Sequence, residues 1–189
     1  MDFIKEIEEY IPVNEQEFQD KKVILSFIQQ FRNNVLLREN EIAHITSSGY
    51  IMNKKLDKVL LVHHNIRNVW SWTGGHADGD GDLLYVSLKE AREETGIKNI
   101  SPLTNRIASI DILPVYGHTK KSNYVNAHLH LSIAYILIAD ENSEVRICSE
   151  ENSGVEWFSL DKFTKEYFSD DDVYLYNKLI SFAHRVANK

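Results

Sequence analysis

The residues with the clearest chemical potential lie between Gly74 and Gly96, where glycines, aspartates and glutamates are concentrated. Glu90, Glu93 and Glu94 are spaced i, i+3 and i+4, so on a helix they are neighbours on one face. Like charges at this spacing destabilise a helix unless a cation lies among them. Carboxylate oxygens commonly bind Mg²⁺ or Mn²⁺ together with substrate phosphates. The spacing therefore indicates a divalent-metal site; the alternative is a solvated acidic face, and the flanking glycines favour the metal site.

Two other ligand-binding loops are excluded by single positions. Residues 78–82 carry aspartates at alternate positions, as an EF-hand does, but that motif needs glycine at its sixth position and glutamate at its twelfth. Leu83 and Lys89 stand there instead. The glycines of residues 79–81 begin a dinucleotide-binding fingerprint, but Leu84 occupies the place of its third glycine. Neither a calcium loop nor a dinucleotide loop is present.

The same stretch resembles the Nudix box, G-x5-E-x7-R-E-U-x-E-E-x-G-U, in which U is a bulky aliphatic residue. The chain departs from this pattern at Gly81 in place of the first Glu, at Lys89 in place of Arg, and at the small Ala91. The resemblance extends over roughly residues 40–165 when the following strand and helix pattern is included. Aligned on its first glycine, the box is matched by Gly75, Glu90, Glu93, Glu94, Gly96 and Ile97.

The resemblance implies Mg²⁺- or Mn²⁺-dependent hydrolysis of a diphosphate linkage in a nucleoside-diphosphate-linked or related small molecule. Carried over by position, Glu90, Glu93 and Glu94 are catalytic residues and metal ligands, and the backbone carbonyl of Gly74 joins them. A bound cation neutralises phosphate charge and lowers the pKa of bound water. The missing Glu/Arg pair leaves a second reading open, a catalytically weak Nudix-fold domain that binds a ligand or regulates.

Further candidates lie around the box and beyond it. Glu151 precedes a strand where a general base would fall, although a surface glutamate is the alternative. Asp80 or Asp82 is expected to pair with Lys89 in place of the missing Glu/Arg brace. His128 and His130 alternate along one strand and so share a face. The residues expected to contact substrate are Gly75, His76, Lys89, His128 and His130.

The elements that must position these residues are mixed strands and helices. A strand pattern covers residues 42–52, KVLLVHH, NVWSWTGG, AHLHLSIAYILIA and GVEWFSL, and a helix begins near Asp82 and stops at Gly96. No regular βαβ alternation occurs, so we expect an α+β fold with a mixed or antiparallel sheet. The resemblance specifies a Nudix α/β/α sandwich. We expect an N-terminal helical extension over residues 1–38 and a Nudix domain with a C-terminal helix over residues 39–189.

Net charge, cysteine content and the N-terminal sequence limit the classes of partner and the cellular compartment that we expect. The net charge of −7 argues against a nucleic-acid polymer as partner. The single Cys148 excludes an intramolecular disulfide and fits a reducing compartment. The acidic N-terminus lacks the pattern of a signal peptide, and no apolar run approaches the roughly 20 residues of a membrane span. We therefore expect a cytoplasmic protein with a small-molecule diphosphate substrate; a homodimer is an assembly that the resemblance allows.

Overall fold

The computed structural model of the chain describes residues 3–120 and 122–188. Two short 3-10 helices, Arg32–Leu36 and Leu160–Lys162, supplement the α-helices of this part of the chain. The α-helices are α1 (Phe3–Glu9), α2 (Glu15–Phe31), α3 (Leu83–Thr95) and α4 (Asp170–Ala187). The strands are β1 (Ala43–Asn53), β2 (Lys58–His64), β3 (Val69–Ser71), β4 (Thr73–His76), β5 (Ser101–Pro102), β6 (Ser109–Val115), β7 (His118–Lys120), β8 (Asn123–Val125), β9 (His128–Ala139) and β10 (Asn152–Ser159).

The main sheet is mixed, as expected. Its central path runs β10-β2-β1-β9-β5, while β3 pairs with β2, β4 with β1, and β6 with β9. Strands β1 and β9 are parallel in register from Ala43 opposite Leu129 to Asn53 opposite Ala139, and the other pairs are antiparallel. Strands β7 and β8 form a separate two-stranded ribbon. The expected single strand NVWSWTGG is divided in the structure, because β3 pairs with β2 and β4 pairs with β1 on either side of Trp72.

Helices cover both faces of the sheet and produce the expected α/β/α layers. One apolar core packs α1, α2 and α3 against one face and includes Ile45, Ile133 and Ala91. The other core packs α4 against the opposite face, where Tyr50 of β1 contacts Tyr176 with ring centroids 5.6 Å apart. Successive strand residues point to opposite faces. Odd-numbered residues of β1 therefore face α3, and even-numbered residues face α4.

The N-terminal helices are anchored to the sheet and to α4. The Asn14 side chain caps α2 by accepting a 2.9 Å hydrogen bond from the backbone N–H of Glu17. The Glu17 carboxylate is buried, and Lys178 of α4 lies 3.0 Å from it and 2.6 Å from Asp111 of β6. The division of the chain at residue 38 remains a prediction, but α1 and α2 share the core of the sheet. In the described part of the chain, no helix is long and apolar enough to cross a membrane.

Candidate active site

Helix α3 has the bounds that its end residues predict. The Asp82 side chain accepts a 2.9 Å hydrogen bond from Tyr85 N–H, and Gly96 adopts the left-handed conformation at φ 73° that ends the helix. The helix packs on β1, where the Ser47 hydroxyl donates to the carbonyl of Leu83 at 2.5 Å. Glu94 is on the buried face of α3 and is only 4% exposed. Glu94 of the Nudix-like box is therefore directed into the protein interior and not into solvent.

Three carboxylates converge beside this helix. An oxygen of Glu90, one of Glu94 and one of Glu151 lie within 4.8 Å of one another. Glu94 is buried, Glu90 is partly buried and Glu151 is exposed, so the group opens to solvent on one side. Oxygen donors of this kind and number are the ligands that Mg²⁺ and Mn²⁺ accept. The residues present therefore fit a divalent cation of this class.

Two glycines of β4 allow the helix to approach closely. The backbone N–H of Gly74 donates a 2.7 Å hydrogen bond to Glu94 Oε1. A Cβ atom added to Gly75 would lie 2.5 Å from Oε2 of Glu90, so any side chain at this position would displace that carboxylate. The two adjacent glycines of the sequence pattern thus contact the side chains of Glu94 and Glu90 directly. The role of the Gly74 carbonyl as a ligand remains a prediction.

The protonation of these carboxylates depends on burial. Burial raises the pKa of Glu94 to about 8, and the hydrogen bond from Gly74 opposes this rise only in part. Burial also raises the pKa of Glu90, while the neighbouring Lys89 lowers it. The proximity of Glu151 adds to the rise at both residues because like charges disfavour ionisation. A cation among the three would remove this repulsion.

Glu151 owes its place to the residue that follows it. The Asn152 side chain is buried and donates a 2.9 Å hydrogen bond to the backbone carbonyl of Glu94. Its side-chain oxygen accepts from the N–H of Cys148 at 3.3 Å. The amide therefore joins the C-terminal turn of α3 to the loop before β10. Asn152 is a positioning residue that the sequence pattern did not reveal.

Lys89 and Glu93 lie beside the carboxylate group. Lys89 Nζ is 3.3 Å from Glu90 and 3.7 Å from Glu93, whose side chain is 57% exposed. Glu93 is not among the three converging carboxylates, so its role as a ligand remains a prediction without geometric support in this structure. The expected pairing of Lys89 with Asp80 or Asp82 is wrong. Lys89 is paired with Glu90 and Glu93 instead, while Asp80 accepts from the N–H of Asp82 and Asp82 caps α3.

A different ion pair braces the glycine-rich loop. Arg38, which lies outside the box, donates two hydrogen bonds of 2.6 Å to the two oxygens of Asp78. Such a planar two-bond contact is specific to arginine. Asp78 has a positive φ of 48° at the turn that follows β4. The contact holds this turn where Gly81 has replaced the first glutamate of the box.

Four histidines form a second cluster on the other face of the sheet. His76, His128 and His130, predicted to contact substrate, are joined by His44, with one ring nitrogen of each within 4.8 Å of the others. His76 pairs with Thr46, an even-numbered β1 residue, whereas Gly75 pairs with the α3-facing Ser47. The histidines therefore lie on the face away from the carboxylates. Their contact with substrate remains a prediction.

Burial keeps most of these rings neutral. It lowers the pKa of His44, of His76 to about 3, and of His130 to about 2. The nearby cation Arg38 adds to the effect at His76, and neighbouring histidines add to it at all three rings. His44 escaped prediction because nothing local marks it. It joins the cluster through the parallel register of β1 and β9, which places it opposite His130.

Comparisons with known proteins identify the family of the chain. The family model described as NUDIX domain matches residues 42–179. The asymmetrical bis(5'-nucleosyl)-tetraphosphatase of Mus musculus is 31% identical over 103 residues, which are 53% of this chain and 59% of that protein. The Rattus norvegicus protein of the same name is 27% identical over a stretch with the same coverage. The chain thus matches about 59% of the length of these relatives.

Solved structures show the same fold. A Nudix-family hydrolase from Clostridium perfringens matches with a TM-score of 0.51 and 20% identity, over 73% of this chain and 96% of that one. An Ap4A hydrolase binary complex from C. elegans matches with a TM-score of 0.51 and 16% identity, over 77% of this chain and 98% of that one. At these identities the matches concern the fold alone. With the family model covering most of the chain, the protein belongs to the Nudix hydrolase superfamily.

Proposed function

We propose that the protein hydrolyses a diphosphate linkage in a nucleoside-diphosphate-linked small molecule, with Mg²⁺ or Mn²⁺ at the carboxylate group. The observation that carries this proposal is the convergence of Glu90, Glu94 and Glu151 beside the glycines of β4. When bound, the cation would neutralise phosphate charge and lower the pKa of water. Dinucleoside tetraphosphates are the first substrates to test, since two relatives carry that activity in their names.

The three carboxylates differ in burial, and we assign their roles accordingly. Glu94 and Glu90 are held by β4 and are suited to fixed ligand positions. Glu151 is exposed at the open side, where its carboxylate is suited to accept the proton of the attacking water. In the reaction, the water oxygen forms a bond to one phosphorus and the bridging P–O bond breaks. The second phosphate leaves with the bridging electron pair.

The second candidate function is ligand binding without turnover. The departures at Gly81 and Lys89 favour it, because the Glu/Arg brace of the box is absent. The Arg38–Asp78 contact supports the hydrolase instead, because it braces the same loop by other residues. We favour the hydrolase on this contact and on the three carboxylates.

A substrate survey tests the proposal. Diadenosine polyphosphates, ADP-ribose, NADH, nucleotide sugars and nucleoside triphosphates are incubated with the protein and Mg²⁺ or Mn²⁺, and products are identified by mass. Reaction in ¹⁸O-labelled water shows which phosphorus is attacked. The Glu94→Gln variant is run alongside, since the substituted amide can still accept from Gly74 while lacking the charge. Turnover that is lost in this variant supports the hydrolase; binding of these compounds without turnover would overturn it in favour of the binding domain.

A further inference from the structure

We propose a second metal site in this chain, for one divalent ion of the Zn²⁺ type, formed by His44, His76, His128 and His130. Imidazole nitrogen is a preferred ligand of Zn²⁺ and of similar transition metals, whereas Mg²⁺ prefers oxygen. The four rings come from three strands, β1, β4 and β9, and one ring nitrogen of each lies within 4.8 Å of the others. The inference is independent of the proposed function, because the carboxylates lie on the other face of the sheet.

Ring packing shows that the cluster is compact. The centroid of His44 lies 4.9 Å from that of His76, 4.8 Å from that of His128 and 5.3 Å from that of His130. The His76 and His130 centroids are 5.0 Å apart, and those of His128 and His130 are 5.1 Å apart. None of these five ring pairs is stacked face to face, since their planes are inclined by 32° to 89°. Inclined rings can direct their nitrogens toward a common centre.

Backbone carbonyls fix which nitrogen of two rings is available. His44 Nδ1 lies 3.0 Å from the Asn40 carbonyl, and His128 Nδ1 lies 2.8 Å from the Asn126 carbonyl. A carbonyl only accepts, so each Nδ1 carries the proton and each Nε2 of the neutral ring presents a lone pair. Metal-binding histidines usually donate their other ring N–H in this way. These contacts prepare both Nε2 atoms as ligands.

The His44 Nε2 atom makes no hydrogen bond with the described residues. It is buried, and no hydrogen-bond partner for it exists within residues 3–120 and 122–188. The residue is 4% exposed. Buried polar atoms are nearly always paired, so an unpaired one requires an explanation. A cation among the four rings would supply the missing partner.

One nitrogen pair is within hydrogen-bonding distance, and its spacing is also compatible with a shared metal ion. The Nε2 atoms of His128 and His130 are 3.3 Å apart. Two nitrogens bound to Zn²⁺ at 2.0–2.1 Å with tetrahedral angles are separated by about 3.3–3.4 Å. The nitrogens of the cluster lie within 4.8 Å of one another, so any pair wider than this spacing would close to it by rotation of the rings. The ion would then tie β4 to β1 and β9 next to the glycines that contact Glu94 and Glu90.

Equilibrium dialysis with Zn²⁺ and with Co²⁺ tests the site, using the chelator-treated protein in excess Mg²⁺. The excess Mg²⁺ competes for the carboxylates, and Co²⁺ reports nitrogen coordination through its visible absorption. We expect one ion per chain in the wild type and in Glu94→Gln. His128→Asn and His130→Asn should weaken binding at least about tenfold, the lower end of the effect of losing even an outer partner.

His118→Asn is the matched control. His118 Nδ1 lies 2.9 Å from the Tyr116 carbonyl, two residues before it, just as His128 faces Asn126, but His118 is outside the cluster. Binding should be unchanged in this variant. Absence of a bound ion, or equal binding by His128→Asn and the wild type, would overturn the proposal.

A measurement on the wild type guards against variants that do not fold. Ring-nitrogen NMR spectra are recorded during addition of Zn²⁺. Resonances of the four clustered rings should shift, while those of His63 and His118 should not. Shifts confined to histidines outside the cluster would also overturn the proposal.

Discussion

Glu94 Oε1 accepts a 2.7 Å hydrogen bond from the backbone N–H of Gly74, which fixes α3 against β4. Replacing Glu94 with glutamine keeps an acceptor at this place and removes only the charge. We expect kcat to fall by about 10²–10³-fold, the effect of losing one well-placed electrostatic contact in an active site. The measurement is steady-state hydrolysis of the substrate that the survey identifies.

Glu93→Gln is the matched control for this variant. Glu93 lies on the same helix but outside the carboxylate group and is largely exposed. Its effect on kcat should be clearly smaller. An equal loss in the two variants would show that Glu93 is a ligand after all, as the box pattern predicts.

The raised pKa of Glu94 gives the metal-free protein a characteristic pH dependence. Between its usual value of 4.5 and about 8, the folded chain keeps a proton on Glu94 that the unfolded chain has released. The free energy of unfolding should therefore fall as pH rises from about 6.5 to about 8, by up to about 1.4 kcal/mol per pH unit. Below about 6.5 the lowered pKa values of His44, His76 and His130 contribute a slope of the opposite sign, so the measurement is made above that value. Urea unfolding in chelator at several pH values measures the slope.

Two variants test whether Glu94 causes this pH dependence of the free energy of unfolding. Glu94→Gln should flatten it, leaving a remainder from Glu90, whose pKa is raised by the same cause. Glu93→Gln should leave it as in the wild type. An unchanged slope in Glu94→Gln would mean that other groups produce the pH dependence.

Gly75→Ala should impair catalysis more than folding. The added Cβ would lie 2.5 Å from the Glu90 carboxylate, which is the far end of a side chain and must turn away. A displacement of about 1 Å in an active site can lower the rate 10²-fold, and we expect a loss of this order. Hydrolysis rates and melting temperatures are measured together.

Gly81→Ala provides the comparison, because a Cβ there would meet only Phe3, at an ordinary 3.5 Å. Activity close to wild type is expected for it. If the two alanine variants were equally active, contact between β4 and Glu90 would be irrelevant to the reaction.

Lys178→Met should destabilise the fold strongly. The side chain of Lys178 is 5% exposed and lies between Glu17 and Asp111, which are also buried. Removing one partner of a buried ion pair costs about 3–5 kcal/mol, because the remaining charge is uncompensated. Urea unfolding measures the change. Lys165→Met, which breaks the exposed pair with Asp170, should have little effect on the free energy of unfolding. An equally small effect of Lys178→Met would contradict the prediction and would mean that Lys178 contributes through packing, which methionine preserves, and not through its charge.

The features that the sequence predicts correctly depend on residues close to one another in the chain. The bounds of α3 follow from Asp82 and Gly96, which act on their own helix, and the convergence of Glu90 with Glu94 follows from helical spacing. Glu151 lies near these two residues because of a loop, and its role as general base remains a prediction.

Contacts between distant segments escape this reasoning. His44 meets His130 only through the register of two parallel strands, and Arg38 reaches Asp78 from a segment before the first strand. The buried lysine of α4 gave no signal either, since a Lys on an amphipathic helix normally faces water. Single-sequence patterns report the chain near each residue, whereas these pairings depend on how the whole sheet is assembled.

The ion pair between Glu17 and Lys178 also bears on how the protein is made. Most of the sequence separates the two residues, so a ribosome releases α2 long before it has synthesised α4. Until then, burying Glu17 would leave its carboxylate without a cation. The first helices to emerge should therefore remain undocked during synthesis and settle on the sheet only after α4 has formed. Chain order and folding order would then run in opposite directions for this part of the protein.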